Sequence, residues 1–202
     1  MPDASMSNEA LRVDRYSRIQ CLVESRGTAK EVGFASLDLQ SARCVIGQFS
    51  DTLSFAGLCR NVLLLEPELI ILSASGNFDA SQEPIYLVLR ETFRTVPIAL
   101  LPRKHADASS GESIIQSLCI PGETEAVLRV VSRRFYLLAA VSSLFSHISG
   151  CTNEPFRPGS IKFVPSGCEG TVMLGTSPDV PVTSLDYFSI LNLELGSRGY
   201  AI

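Results

Sequence analysis

EVGFASLDLQSARCVIGQFSD, residues 31–51, reads as two β-strands joined by a turn and closed by a helix cap. Apolar residues alternate through Val32, Phe34 and the small Ser36, continue at Leu37 and Leu39, and resume at Cys44, Val45, Ile46 and Phe49. Residues 40–43 are the polar break between the two runs. Alternation at period two is the pattern of a strand that buries one face. Asp51 then precedes an apolar run of helical spacing, where a carboxylate accepts the free N–H groups of a first turn.

Upstream, residues 19–23 form a short apolar strand, and ESRGTAK at 24–30 is a turn-rich link. Three consecutive strands make an antiparallel meander the simplest arrangement. Residues 1–18 are polar and small and are expected to be a disordered tail. They contain no apolar core of the kind a secretory signal needs.

Downstream, a helix is expected over 51–65, ended by Glu66-Pro67 because the residue before a proline disfavours the helical region. LIIL at 69–72 suits a strand buried on both faces. A loop at 73–83 leads to Pro84, which can open a helix that runs to Phe93. A strand at 96–101, a polar loop at 103–110 and a short helix at 111–118 follow. Helix and strand alternating after a meander give a mixed sheet with helices on both faces, the topology of an RNase H-like α/β fold.

Residues 123–149 read as one long helix, with a stripe of Leu128, Val131, Phe135, Leu138, Ser142 and Phe145. Small neighbours at Ala139, Ala140, Ser142 and Ser143 would let another helix approach. The preceding domain offers little to cover so long a helix, so it is expected to open an α-helical domain. After Gly150, residues 160–164 and 170–174 read as a hairpin around Pro165-Ser166-Gly167, and a further helix is expected to start at 191–195.

The chain has 202 residues, of which 46% are hydrophobic and 19% charged, enough to bury a core. A net charge of -4 argues against a dedicated nucleic-acid surface, though not against DNA contact within a larger assembly. The longest apolar runs fall short of a membrane span. The cysteines Cys21, Cys44, Cys59, Cys119, Cys151 and Cys168 form no CxxC pair, and His105 and His147 stand at no zinc-ligand spacing from them. No metal site is expected, and free thiols in apolar surroundings suit a reducing, intracellular compartment.

Catalytic motifs are sparse. None of Lys30, Lys104 and Lys162 follows a glycine, so no phosphate-binding P-loop exists. No GxSxG occurs for a serine nucleophile. A two-metal nuclease on such a sheet would need Glu24, Asp38, Asp51 and Glu66 to converge at strand ends. Structural and surface roles account for the same four residues, with Asp38 on a strand and Asp51 at a cap. Arg133 and Arg134 are candidates for contact with a DNA backbone, and Arg103-Lys104-His105 forms a basic loop. A solvated surface is the more ordinary account of both groups.

These segments resemble the MutS mismatch-recognition family. The resemblance lies in residues 31–51, in EPELIILS at 66–73, in RRFYLLAAVSSLFSHI at 133–148 and in NLEL at 192–195. In that family an α/β connector domain carries a G-x-A-x-x-D strand, here Gly33 to Asp38, and an F-x-D cap, here Phe49 to Asp51. A helical core, or lever, domain follows, whose first long helix holds an Ala-Ala pair. ESRGTAKEVGFASLDL and IIQSLCIPGETEAVLRVVSRRFYLLAAV are most like the eukaryotic meiotic branch.

The resemblance implies a connector domain over 19–119 and an incomplete start of the core domain over 120–202, with an unusual insert at 177–189. It implies a nuclear protein that pairs with a sister MutS homologue and clamps mismatched or branched DNA in meiotic recombination. It also implies ATP and magnesium sites in domains that this chain does not contain, and contact with MutL-type repair factors. The chain itself is expected to be a non-catalytic coupling and docking module. The alternatives are an RNase H-like metal-dependent nuclease and a repair-type MutS homologue without its first domain.

Overall fold

The computed structural model describes residues 13–26, 30–74, 83–152 and 155–166, and all statements below concern these. The expected insert at 177–189, the strand at 170–174 and the NLEL helix lie outside them.

Six strands form one sheet: β1 (Arg18–Glu24), β2 (Glu31–Asp38), β3 (Arg43–Ser50), β4 (Leu69–Ala74), β5 (Ile98–Pro102) and β6 (Lys162–Pro165). Their order is β5-β4-β1-β2-β3-β6. β2 pairs antiparallel with β1 and β3, while β4 joins β1, β5 joins β4 and β6 joins β3 in parallel. Five strands therefore point one way and β2 alone opposes them. The meander followed by two strands laid parallel to β1 is the mixed sheet the sequence implies.

Helices α1 (Ala56–Leu65) and α2 (Pro84–Thr92) cover one face. Helices α3 (Ala108–Leu118), α4 (Thr124–Val131) and α5 (Phe135–Thr152) cover the other. Because both faces are covered, β1 and β2 are buried almost throughout, rather than at every second residue. Strand alternation still sorts the side chains. Ile19, Cys21 and Val23 join Ala35, Leu37, Leu69 and Ile71 under α5, while Leu22 joins Val32, Phe34, Ile70 and Leu72 under α1 and α2.

The single long helix expected over 123–149 is two helices, broken at 132–134. The second, α5, is buried continuously from Leu137 to Phe145, as suits a core helix rather than a surface one. It is apolar and long enough to cross a bilayer, but the sheet and α3 enclose it. Its fit depends on small residues. A Cβ on Gly33 would overlap the Tyr136 carbonyl, and one on Gly111 of α3 would overlap the Leu138 carbonyl oxygen. Ala35, Ala139 and Ala140 are fully buried at the same contact. The G-x-A strand and the Ala-Ala helix therefore meet one another.

That packing corrects the expected layout. Far from opening a separate helical domain at residue 120, α5 completes the core of the α/β layer, and no helical lever domain is seen among the described residues. β6 belongs to the same sheet, where it pairs with β3. At the other end, Val13 lies in a 3-10 turn (Val13–Arg15) and is buried under the sheet, so ordered packing begins inside the expected tail. α1 starts five residues later than expected, after a loop in which Phe55 adopts a left-handed φ of 54° with its ring buried. A left-handed bulky residue is strained, and burial of its ring is what holds it there. On that face Gln20 Nε2 donates to Asn61 Oδ1 at 2.6 Å, a buried polar pair between β1 and α1.

Candidate nucleic-acid interface at the carboxyl edge of the sheet

Since five strands run the same way, their C-terminal ends share one edge. In open α/β sheets this edge is where ligands are received, because loops and helix starts converge there. Glu24, Ser50 and Pro102 end their strands here, and α5 begins here, above β2 and β3.

The start of α5 is fixed by β3. Gln48 Oε1 accepts from the amides of Tyr136 and Leu137, at 3.0 and 3.1 Å. Gln48 is the register partner of Gly33, so the residue that admits the helix and the residue that caps it lie side by side. These two bonds, supplied from another element, set where α5 starts. They leave Ser132, Arg133 and Arg134 as a bend held by the Arg134 amide, which donates to the Val131 carbonyl at 2.9 Å. Arg133 is exposed and Arg134 is half-buried, on this bend rather than inside a helix.

Phe135 follows directly and is 56% exposed, although the sequence stripe counts it as core. Its ring meets Tyr136 edge-on, with centroids 5.3 Å apart. Nearby, Arg103 Nη2 donates to the Glu24 carbonyl at 2.6 Å, which ties the turn after β5 to the end of β1. Burial, followed by the charge of Arg26, makes the Arg103 guanidinium easier to deprotonate than usual, and Tyr136 and Glu24 act against that. Lys104 is exposed beside it. Lys30 pairs with Glu24 at 2.7 Å and stands 5.8 Å from the Phe55 ring centroid.

The four carboxylates that a nuclease would need do not come together. At this edge Asp51 Oδ1 accepts from the amides of Thr52 and Gly57, and its Oδ2 from that of Leu58. It thus serves the first turn of α1 across an intervening loop. Glu24 is held by Lys30. At the opposite edge Asp38 caps the β2–β3 turn, accepting from the Gln40 amide at 2.9 Å and the Ser41 hydroxyl at 2.7 Å. That hydroxyl is the main reason its carboxyl titrates below the ordinary range. Glu66 is paired there with Arg18 at 3.1 Å. Among the described residues no group of three or more His, Cys, Asp or Glu is placed to hold a metal ion.

Other titratable groups fit the core. Burial pushes the thiols of Cys21 and Cys44 far up and leaves them unreactive. His147 is shifted toward its neutral form by burial and by His105, and its Nε2 lies 3.8 Å from the exposed Cys151 Sγ.

Sequence reasoning missed Gln48 and Phe135. Nothing local marks Gln48, whose partners lie far along the chain. Phe135 could have been flagged as an aromatic directly after two arginines.

No family model matches the chain. Among curated proteins, MutS protein homolog 4 of Homo sapiens is 29% identical over 94% of this chain, and that of Mus musculus is 30% identical over 96%. The chain spans only 21% of the length of each. Among solved structures, fowlpox virus resolvase with its Holliday junction DNA overlaps 67% of this chain and 97% of its own, at 12% identity and a TM-score of 0.41. The nuclease domain of the Sf6 large terminase subunit overlaps 73% of this chain and 63% of its own, at 10% identity and a TM-score of 0.31. Overlaps this loose support no statement about function. The similarity to MutS protein homolog 4 runs along nearly the whole chain and over about a fifth of each relative.

Proposed function

We propose that this chain is the coupling and docking part of a MutS homologue that acts in meiotic recombination. The observation that carries the reading is the similarity to MutS protein homolog 4 along 94–96% of the chain. On this reading the whole protein pairs with a sister MutS homologue in the nucleus. The pair closes as an ATP-driven clamp on branched or mismatched DNA and receives MutL-type factors. ATP and magnesium belong to other domains: this chain has no P-loop to cradle phosphates, and no step here is routed through them.

The contribution of this chain is mechanical. A sheet with helices packed tightly on it transmits displacement rather than absorbing it, because close-packed interiors are nearly incompressible. Its carboxyl edge would rest on DNA through Arg133 and Arg134, which contact backbone phosphates without reading sequence. The dispersed, individually satisfied carboxylates favour this module over the nuclease.

The test is a paired assay on the purified chain with a four-way junction. We expect binding, with no ATP hydrolysis in Mg²⁺ and no strand cleavage in Mn²⁺. ATP turnover that survives further purification, or cleavage by the wild type that is lost in Asp38→Asn, would overturn the non-catalytic reading.

A further inference from the structure

Phe135 sits where an apolar ring has least reason to be. It is more than half exposed, on the first turn of a helix that is buried from Leu137 to Phe145. Nor is it loosely held. The backbone beside it is fixed by Gln48, and its ring is braced edge-on by Tyr136. A rigid exposed ring presents a flat face at low entropic cost.

Its surroundings gather several guanidinium groups, with Glu24 close by but held by Lys30. Arg133 and Arg134 precede it on the bend. Arg103, tied to the end of β1, lies within electrostatic reach of Arg26 and Tyr136. Neither Arg103 nor Arg26 forms an ion pair among the described residues, whereas Lys30 and Arg18 do. In a chain of net charge -4, this edge gathers guanidinium groups beside an aromatic face. The amides of Tyr136 and Leu137 are occupied by Gln48, so the positive character comes from side chains, not from the helix end.

An aromatic face flanked by arginines matches single-stranded nucleic acid: the cations follow the phosphates, and the ring takes an unstacked base of any identity. A paired duplex keeps its bases stacked and offers the ring nothing. We infer that the carboxyl edge binds unpaired DNA, with Phe135 as the stacking platform and Arg133, Arg134 and Arg103 as its phosphate contacts. This rests on the reading of Arg133 and Arg134 as DNA contacts and adds a preference to it: junction centres, gaps and frayed ends over intact duplex.

The chain contains no tryptophan, so Phe135→Trp places a single indole reporter at the platform. The variant is titrated with an oligo(dT) strand, a blunt duplex of equal length and polyglutamate, with anisotropy of labelled DNA measured in parallel. We expect quenching by the single strand alone, and binding to it at least five-fold tighter than to duplex. Phe135→Ala should weaken single-strand binding roughly five- to a hundred-fold, the range seen when a stacking residue is removed. It should leave duplex binding unchanged, and Phe135→Tyr should restore most of the loss. Equal affinity for both DNAs with unquenched emission overturns the stacking platform while leaving the backbone contacts standing. Binding of neither DNA overturns both readings. Quenching by polyglutamate alone overturns this inference in favour of an acidic protein segment.

Discussion

The two faces of the sheet are packed by opposite means. Under α5 the contact is made of atoms that are missing: Gly33, Gly111, Ala35, Ala139 and Ala140 bring backbone against backbone. Under α1 and α2 it is made of bulk, with Phe34, Phe55, Leu58, Ile70, Leu72 and Leu89 filling a wider gap. The first face has no room to gain an atom and the second cannot spare one. The difference bears on function, since the small-residue face fixes the start of α5 and with it Arg133, Arg134 and Phe135. The bulky face supports the sheet from behind.

Truncation should hurt the bulky face most. Phe34→Ala empties a site ringed by Phe49 and Gly47, and should cost about 3–5 kcal/mol, read as a lower urea midpoint at unchanged slope. Enlargement should hurt the tight face. In a helix, alanine is ordinarily favoured over glycine by about 1 kcal/mol. Gly111→Ala should instead destabilise by about 1–3 kcal/mol, because the new methyl overlaps the Leu138 carbonyl. A stabilised variant would show that α3 and α5 are not in backbone contact.

Gln48→Ala removes the acceptor for two amides and should cost about 1–2 kcal/mol, like the loss of a helix cap. Hydrogen exchange at Tyr136 and Leu137 should accelerate while the middle of α5 stays protected, which separates a local cap from general damage.

The smallest effect lies outside both faces. Asp107, the cap of α3, is held down to about 2 from 3.8 by the hydroxyls of Ser110 and Ser109 and the Ser110 amide. A lowered folded value favours the ionised native state above the unfolded value. That contribution should be complete above about pH 4 and vanish as the pH falls toward 2. Asp107→Asn should flatten that part of the acid profile, lowering stability above about pH 4 and converging with the wild type toward pH 2.

The hairpin at 31–51 was legible because strand pairing across a short turn is local: alternation and a four-residue break suffice. The mixed sheet followed from the alternation of helix and strand. The break before α5 was not legible. Val131 and Phe135 keep helical spacing straight across it, and the residue that sets the break, Gln48, belongs to a distant strand. The pairing of β6 with β3 was not legible for the same reason, since β3 comes much earlier in the chain. The tight face was half visible: the small residues of α5 suggested a close neighbour, but nothing local said that the neighbour was Gly33. At the site, Arg133 and Arg134 stood out by charge. Phe135 hid within an apolar stripe, and only tertiary packing shows which stripe members face solvent.

The central claim is that this acidic chain holds DNA by one edge. It is tested most directly by the salt dependence of junction binding, wild type against the Arg133→Ala/Arg134→Ala double variant, followed by anisotropy. Each phosphate neutralised contributes about 0.9 to the slope of log affinity against log salt on duplex arms. The expected result is a linear fall for both proteins, with a slope shallower by about two for the double variant. Identical slopes, or no salt-dependent binding by the wild type, would contradict the account.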